Sequence, residues 1–331
     1  MTAQDMAVYE NELFWELPML VSTAILGLVI ILVVIFQFFK SEKVLEEYEV
    51  SAIYVYPVKS CKGTSVASQE IDKNGFKADR QWLVVTEAEG GMVTQRHKSK
   101  MALIKPELPS DSSTALILRA PEMPDIAVPI VKKDKRSEMD VFVWGAHIIG
   151  IDQGDEVGEW LTKFLDSEDE PLRLVRFKEG YVRPTDPAFA PGYQTGFADG
   201  FPFLCASEAS LDDLNARLSG DVPMDRFRPN IVVKGCKPFA EDSWAKLKIG
   251  KIPMKIVKPC SRCKIPMIDQ NTGDKGSESV TETLQKFRTG EELNLQNPKW
   301  KNEVFFGQNV VHDKNSGRIS VGDKVQIIKF K

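Results

Sequence analysis

The residues best suited to chemistry lie in the segment KPCSRCK, residues 258–264, which directly follows a predicted strand. This segment contains two cysteines, Cys260 and Cys263, among lysine and arginine side chains. Nearby positive charge favours the thiolate form of a cysteine over the thiol, and a thiolate is the ligand that soft or redox-active metals prefer. The segment is therefore a candidate thiolate site at the end of a strand.

Three other interpretations of Cys260 and Cys263 stay open on spacing alone. A zinc site made by the protein usually needs four ligands, and the other three cysteines and the three histidines are scattered along the sequence. A thioredoxin-like dithiol would begin a helix, whereas Pro266 closely follows this pair. Two buried cysteines with no chemical role are the third interpretation.

Cationic side chains mark the ends of other predicted strands. Lys59 and Ser60 lie in YPVKSCKG, a turn whose backbone N–H groups and lysine charge could hold an anion, although a solvated turn would look the same. Arg228 and Asn230 lie in DRFRPN, and arginine suits two-point recognition of a phosphate. Arg80 lies in ADRQW, beside apolar strand residues. Together these groups suit an anionic cofactor.

Short runs rich in β-branched and aromatic residues predict strands through most of the chain after residue 50. They include SAIYVYPVK, GFKADRQWLVVTE, STALILRAP, MDVFVWGAHIIGID, PNIVVKG, KLKIGKIPMKIVKP and RISVGDKVQIIKF. Helices are predicted in VGEWLTKFLDSEDEPLRL, before a proline-marked turn, and in SEASLDDLNARL, where Ser207 or Ser210 can cap the first turn. Residues 178–203 are predicted to form a long structured loop. The predicted fold class is α+β and rich in β-structure.

Composition restricts the class of protein. Over 331 residues, 43 lysines and arginines oppose 47 aspartates and glutamates, a formal charge of −4, and 43% of the residues are hydrophobic. This balance is typical of a folded globular protein with about two domains, and it gives no net-charge reason to bind nucleic acid. Five cysteines without a regular spacing predict reduced thiols. The common nucleotide-binding and hydrolase motifs are absent from the sequence.

Residues 17–39 form an uncharged, apolar stretch of 23 residues. A helix of that length rises about 34 Å, which is enough to cross a hydrocarbon core about 30 Å thick. A cleaved signal peptide would need a positive segment before a shorter apolar stretch, but residues 1–16 are acidic. Lys40 and Lys43 follow the stretch, and positive residues stay on the cytosolic side. We therefore expect a single-pass anchor with the rest of the chain in the cytosol.

The order of several motifs along residues 50–331 resembles the MOSC family, and specifically the amidoxime-reducing components anchored to mitochondrial outer membranes. The matching motifs are YPVKSCKG, DRQWLVV, TQR, SEASLDDLN, RFRPNIVV, AEDSWAKLKIG, CSRC followed by DQNTG, and FGQN with the closing VGDKV. The resemblance implies a β-rich MOSC N-terminal domain at residues 51–170 and a MOSC β-barrel domain at residues 171–331. Three shorter segments precede them: the acidic segment 1–16, the transmembrane anchor 17–39 and a juxtamembrane linker 40–50.

The resemblance also implies a molybdenum cofactor, a pterin dithiolene without an added nucleotide. Carried over residue by residue, Cys263 matches the cysteine that ligates molybdenum, so Cys260 is expected to pack as a small apolar side chain. The positions that match contacts to the cofactor's phosphate and pterin are Lys59, Ser60, Arg80, Arg228, Asn230, Ser261 and Arg262. Pro266 and Met267 replace hydroxyl residues of vertebrate relatives, a difference that bears on substrate preference.

The activity implied by the resemblance is reduction of N-hydroxylated compounds, namely amidoximes, hydroxylamines and N-hydroxyguanidines, and also of nitrite. Electrons would come from NADH through cytochrome b5 reductase and cytochrome b5. The implied location is the mitochondrial outer membrane, with the endoplasmic reticulum as the alternative. Two other functions are a carrier of the cofactor or sulfur-transfer module, and a non-catalytic membrane scaffold. Asp269 is expected to cap a turn that ends at Gly273.

Overall fold

A computed structural model of the chain describes residues 42–108, 114–131, 137–276 and 280–331. Residues Leu45–Lys331 form one compact unit by their internal contacts. The predicted anchor at residues 17–39 and the acidic segment before it lie outside the described residues. Within the described ranges, no helix is both long and apolar enough to cross a membrane.

Strands dominate the described part of the chain, and the helices are few and short. The strands are β1 (Glu46–Val55), β2 (Thr64–Val66), β3 (Ser68–Asp72), β4 (Gly75–Phe76), β5 (Trp82–Thr86), β6 (Lys105–Glu107), β7 (Ala115–Arg119), β8 (Ile126–Pro129), β9 (Glu138–Val143), β10 (Ala146–Asp152), β11 (Leu172–Phe177), β12 (Phe203–Ser207), β13 (Ile231–Lys234), β14 (Trp244–Ile249), β15 (Ile252–Ser261), β16 (Phe305–His312), β17 (Gly317–Ser320) and β18 (Lys324–Phe330). The helices are α1 (Asp155–Phe164), α2 (Glu208–Asn215) and α3 (Val280–Gln285). Short 3₁₀ turns lie at Ser99–Leu103, Met224–Phe227, Ala240–Asp242, Ile265–Met267 and Pro298–Trp300.

The largest sheet is closed into a barrel by its first strand. Its strand order is β13-β12-β16-β15-β14-β18-β1-β2, and β1 also pairs with β13 from the other end of that order. Residues 46–49 of β1 pair with β18, and residues 49–53 pair with β13. A sheet that closes on itself leaves no long unpaired edge. The prediction of a β-rich fold that contains a barrel is therefore confirmed.

The first strand begins inside the segment predicted as a linker, because its carboxylates find partners on neighbouring strands. Glu47 forms an ion pair with Lys324 of β18 and accepts a hydrogen bond from Gln326. Glu49 lies 2.7 Å from Lys234 of β13. Cross-strand pairs of opposite charge stabilise a sheet, so a run of charged residues here continues the strand.

A second, smaller sheet has the order β5-β11-β10-β9, and all its neighbours are antiparallel. Helix α1 packs one apolar side against it, where Trp160, Leu161 and Phe164 join Leu172 and Leu174 in a buried cluster. The sequence places a helix here because these apolar residues recur at helical spacing. This sheet contains β5, which directly follows the segment that carries Arg80, and the β9–β10 hairpin, whose tip reaches the site described below.

Helix α2 begins where the sequence predicts it. Ser207 is its N-cap, and the Ser207 hydroxyl accepts a hydrogen bond from the backbone N–H of Ser210 at 3.2 Å. The helix ends at Asn215, three residues before the end of the predicted segment. The Asn215 amide explains the difference, because it bonds both the N–H and the carbonyl of Val222 at 3.1 Å and so fixes the turn that follows.

The long loop between β11 and β12 contains no helix or extended strand, as predicted. Its order comes from Arg183, which is buried and donates hydrogen bonds to three backbone carbonyls near the end of the loop. The acceptors are Gly196 at 2.7 Å, Ala198 at 2.5 Å and Asp199 at 3.1 Å. One guanidinium therefore fixes the backbone that carries the Asp199 side chain.

Candidate functional site

A single cavity is lined by all eight residues that the sequence singled out. They are Lys59, Ser60, Arg80, Arg228, Asn230, Ser261, Arg262 and Cys263. Four separate segments supply them: the turn after β1, the chain before β5, the turn before β13, and the end of β15. The fold therefore brings together groups that lie up to about two hundred positions apart in the sequence.

Lys59 and Ser60 lie in the turn after β1. Ser60 adopts a left-handed backbone conformation with φ of 65°, and its carbonyl accepts a hydrogen bond from Gln95 at 2.7 Å. The Lys59 side chain is buried, and its ammonium group forms an ion pair with Asp199. Burial lowers the pKa of Lys59, whereas the charge of Asp199 opposes that shift. The turn therefore presents a partly desolvated cation to the cavity.

Arg80 and Arg228 both stack on one buried aromatic ring. The guanidinium carbons lie 4.2 Å and 4.3 Å from the ring centroid of Tyr56, which is fully buried. A cation–π contact of this kind stabilises a charged group that lies above the face of an aromatic ring. Both arginines have left-handed backbones, with φ of 46° and 56°. The ring therefore holds two like charges in fixed positions beside the cavity.

The edge of the same ring is closed by Gly63. A Cβ atom at this position would lie 2.3 Å from Cε1 of Tyr56, and the two guanidiniums prevent the ring from moving aside. We expect Gly63→Ala to lower the free energy of unfolding by about 1–3 kcal/mol, the usual cost of overpacking. Urea unfolding checks the prediction. Gly91→Ala is the control, since its Cβ would meet only Thr86 Oγ1 at 3.4 Å; equal losses in both variants would contradict it.

The polar contacts of Arg228 are incomplete. Its Nη1 lies 3.4 Å from the Gln270 side-chain oxygen, and its buried Nη2 has no hydrogen-bond partner. Burial lowers the pKa of this guanidinium. Arg80 is better satisfied, because it donates to Asp79 at 2.6 Å and to Asn230 at 3.0 Å. A buried donor without an acceptor is costly, so Arg228 is suited to an anionic ligand.

The end of β15 carries the predicted thiolate segment. Arg262 donates to the Phe227 carbonyl at 2.8 Å, and its backbone N–H donates to Val304 at 2.7 Å. The Cys263 side chain is exposed to the cavity, and its Sγ lies 3.5 Å from the backbone N–H of Ile265. Backbone hydrogen bonds therefore hold the segment while the thiol stays accessible.

Contrary to the sequence prediction, Cys260 does not pack as a small apolar side chain at the strand end. Cys260 is partly exposed, lines the same cavity, and its Sγ lies 3.0 Å from Nη1 of Arg262. The alternation of side chains along a strand does not apply here, because the pairing of β15 with β16 shifts register between Pro259 and Ser261. The sulfur therefore contacts a cation instead of apolar neighbours.

Asp269 caps the turn that the sequence assigned to it. Its Oδ1 accepts hydrogen bonds from the backbone N–H groups of Asn271 at 2.8 Å and Thr272 at 3.1 Å. Its Oδ2 lies 2.7 Å from Arg226, which precedes Arg228 in the neighbouring turn. These bonds lower the pKa of Asp269. The prediction is confirmed, and the carboxylate also links two segments of the cavity wall.

Comparison with known proteins agrees with these motifs. The MOSC N-terminal beta barrel domain family matches residues 47–168, and the MOSC domain family matches residues 192–326. Mitochondrial amidoxime-reducing component 1 of Homo sapiens is 39% identical over 288 residues, which cover 84% of this chain and 82% of that protein. The chain belongs to the amidoxime-reducing component family of MOSC-domain proteins. Mitochondrial amidoxime reducing component 2 of Bos taurus is 37% identical, with 83% of this chain and 82% of that protein covered.

Membership in the amidoxime-reducing component family confirms the resemblance drawn from the sequence, and with it the prediction that the chain is an enzyme. Among the described residues, no three histidine, cysteine, aspartate or glutamate side chains come together to hold a metal ion. A zinc site built from protein ligands alone needs such a cluster. The geometry of this family member therefore gives no support to the zinc interpretation of Cys260 and Cys263.

Asp199 and Trp144 line the cavity but are not among the residues that the sequence singled out. Asp199 accepts hydrogen bonds from Lys59 and, at 2.8 Å, from the indole Nε1 of Trp144. The Asp199 side chain is largely exposed, and the charge and hydrogen bond of Lys59, together with the hydrogen bond of Trp144, hold its pKa below the usual range. No local motif marks either residue. Arg96, which lies 4.3 Å from the Trp144 ring, was visible in the TQR motif.

The cavity wall is strongly cationic. Its charged side chains, as far as the structure describes them, are five cations and one carboxylate: Lys59, Arg80, Arg96, Arg228, Arg262 and Asp199. Three of the guanidiniums also have a buried nitrogen without a hydrogen-bond partner, namely Arg96, Arg228 and Arg262. Excess positive charge with unused donors suits a polyanionic ligand, and the exposed Cys263 thiol adds a soft metal ligand at its edge.

Proposed function

We propose that this protein is a molybdenum-cofactor-dependent reductase of N-hydroxylated compounds, namely amidoximes, hydroxylamines and N-hydroxyguanidines. The observation that carries the proposal is the accessible Cys263 thiol in a cavity with five cationic side chains and three unpartnered buried donors. Membership in a family whose relatives are named for amidoxime reduction supports the choice of substrate.

The residues of the cavity fit the cofactor that the family implies. Lys59 and Arg228 would bind its phosphate, because both are buried cations that face the cavity and Arg228 has a donor to spare. Cys263 would ligate the molybdenum as a thiolate. The remaining contacts to the pterin would come from Ser60, Arg80, Asn230, Ser261 and Arg262. When bound, the cofactor supplies the two-electron chemistry that removes oxygen from the substrate.

The protein's own part in this reaction is to bind the cofactor, to orient the substrate and to balance charge. Reduction of an amidoxime takes up two electrons and two protons and releases the amidine and water. Asp199 does not supply these protons, because its lowered pKa leaves it a carboxylate at neutral pH. It instead accepts hydrogen bonds and keeps Lys59 and Trp144 in place.

We also propose the electron donors and a second substrate for this family member. Electrons would pass from NADH through cytochrome b5 reductase and cytochrome b5, and nitrite would be reduced at the same site. Support comes from the motifs that residues 50–331 share with the amidoxime-reducing components.

Purified full-length protein, extracted in detergent from a host that makes the cofactor, tests the function. We expect about one molybdenum and one pterin per chain, and conversion of benzamidoxime to benzamidine with NADH and the two donor proteins. Zinc, or no metal, would overturn the proposal. Bound cofactor without any reduction would favour a cofactor carrier.

The proposed location is the mitochondrial outer membrane, with the body in the cytosol and residues 17–39 as the anchor. We expect the full chain to stay in the pellet when membranes are extracted with alkaline carbonate, because an uncharged helix of this length is retained by the bilayer. Immunoblotting of pellet and supernatant measures the result. A variant without residues 1–40 is the comparison and should appear in the supernatant. Release of the full chain would refute the anchor.

A further inference from the structure

The tip of the β9–β10 hairpin places an exposed aromatic ring in the cavity wall. Four aromatic side chains line the described part of this wall: Trp144, Phe201, Phe203 and Phe227. Phe203 and Phe227 are buried and Phe201 is half-buried, whereas Trp144 is 51% exposed. A large exposed aromatic residue at the edge of a cavity is available to a ligand that arrives from solvent.

The backbone of Trp144 is held in a conformation that tryptophan rarely adopts. Trp144 and Gly145 have φ of 54° and 81°, the two left-handed residues of a tight hairpin turn. Asparagine or glycine is the usual first residue of such a turn, and a bulky side chain there is strained. Backbone strain of this kind persists where the surrounding residues hold the conformation, and it is most common at functional sites.

Contacts on two sides fix the Trp144 ring. Its Nε1 donates to Asp199 Oδ1 at 2.8 Å, and the Arg96 guanidinium lies 4.3 Å from its ring centroid. Asp199 is itself held by Lys59 through an ion pair and by Arg183 through its backbone. The edge that carries the N–H group and one face of the ring are therefore occupied, and half of the side-chain surface remains open to solvent.

We propose that Trp144 is a substrate-positioning residue whose open surface stacks on the flat N-hydroxylated group of neutral, planar substrates. This role rests on the function proposed above. Amidoximes and N-hydroxyguanidines are planar and delocalised, so they can lie flat against an indole ring.

The test compares two substrates in the full-length, cofactor-loaded protein. Benzamidoxime is planar and aromatic, whereas hydroxylamine has no π-system. We expect Trp144→Ala to raise the KM for benzamidoxime about threefold to tenfold, the range of one aromatic contact. The kcat, the KM for hydroxylamine and the molybdenum and pterin content should stay unchanged. Trp144→Phe keeps a ring and should restore most of the benzamidoxime affinity.

Phe142→Ala is the matched control, because Phe142 is the other exposed aromatic residue of the same hairpin and does not line the cavity. Its KM values should equal those of the wild type. Equal rises of KM for both substrates in Trp144→Ala, or loss of its cofactor, would overturn the positioning role.

Calorimetric binding of benzamidoxime separates this proposal from the proposed function, since it requires no turnover. Affinity should fall about threefold to tenfold in Trp144→Ala and stay constant in Phe142→Ala. Unchanged affinity in Trp144→Ala overturns the inference even if the wild type reduces the substrate. A wild type that binds benzamidoxime through Trp144 without reducing it would overturn only the reductase function.

Discussion

Replacing Cys263 with alanine is expected to reduce amidoxime reduction to background, the largest effect among the substitutions considered. The Cys263 thiol is exposed to the cavity at the end of β15. Removing a thiolate ligand takes a strong donor from the proposed metal and shifts its redox potential. Cys263→Ser would supply a harder oxygen ligand and should leave activity greatly reduced. The rate with NADH and the donor proteins is measured together with molybdenum and pterin content.

Cys260→Ala is the matched control for this prediction. It removes the sulfur that lies 3.0 Å from Arg262, while the second bond of Arg262, to the Phe227 carbonyl, remains. Most of the activity and all of the metal should therefore be retained. A zinc pair or a redox dithiol would make both cysteines indispensable, so equal loss in the two alanine variants would contradict the molybdenum assignment.

Loss of Lys59 or Arg228 is expected to empty the site of cofactor without changing the chemistry of the molecules that retain it. Removing one charge-assisted hydrogen bond costs about 1.5–3 kcal/mol, or roughly tenfold to 150-fold in affinity. Alanine variants at either position should therefore show low molybdenum occupancy, while the rate per bound molybdenum stays near that of the wild type. Metal analysis and turnover on the same sample separate the two quantities.

The partner of Lys59 allows a sharper version of this experiment. Lys59→Ala leaves Asp199 as an unpaired carboxylate beside the proposed anion, so part of its effect is repulsion. Adding Asp199→Asn to Lys59→Ala should recover some of the lost occupancy. Arg318→Ala, which removes an exposed cation paired with Glu70, is the control and should leave the molybdenum occupancy unchanged. Full occupancy with abolished turnover in Lys59→Ala would refute the binding role.

Local sequence predicted the cationic and thiol groups of the site because each lies at the end of a strand. Lys59 follows β1, and Cys263 follows β15, so a strand signal next to a reactive side chain was sufficient to find them. The family resemblance added the assignment of Cys263, and not Cys260, to the metal. These signals could not predict the environment of each group, such as the Tyr56 ring that both Arg80 and Arg228 contact.

Contacts between distant segments explain what the sequence did not predict. Asp199 meets Lys59 across 140 positions and Trp144 across 55, and no spacing rule connects residues so far apart. The start of β1 lies inside the segment predicted as a linker for a related reason. In the sequence, Glu47 and Glu49 are typical of a solvated linker. In the structure, lysines of β18 and β13 pair with these two carboxylates, so the segment belongs to β1.

The closure of the barrel by β1 has a consequence for the order of events in the cell. Glu47 and Lys324 are 277 positions apart, and a ribosome adds about 5–20 residues per second. The residues of β1 are therefore synthesised roughly 15–55 s before their partners on β18. The Lys59 turn directly follows β1, so the cavity is complete only after this long-range pairing, which is also slow to form. Any cofactor held by that turn is accordingly loaded only after β18 has been synthesised and has paired with β1.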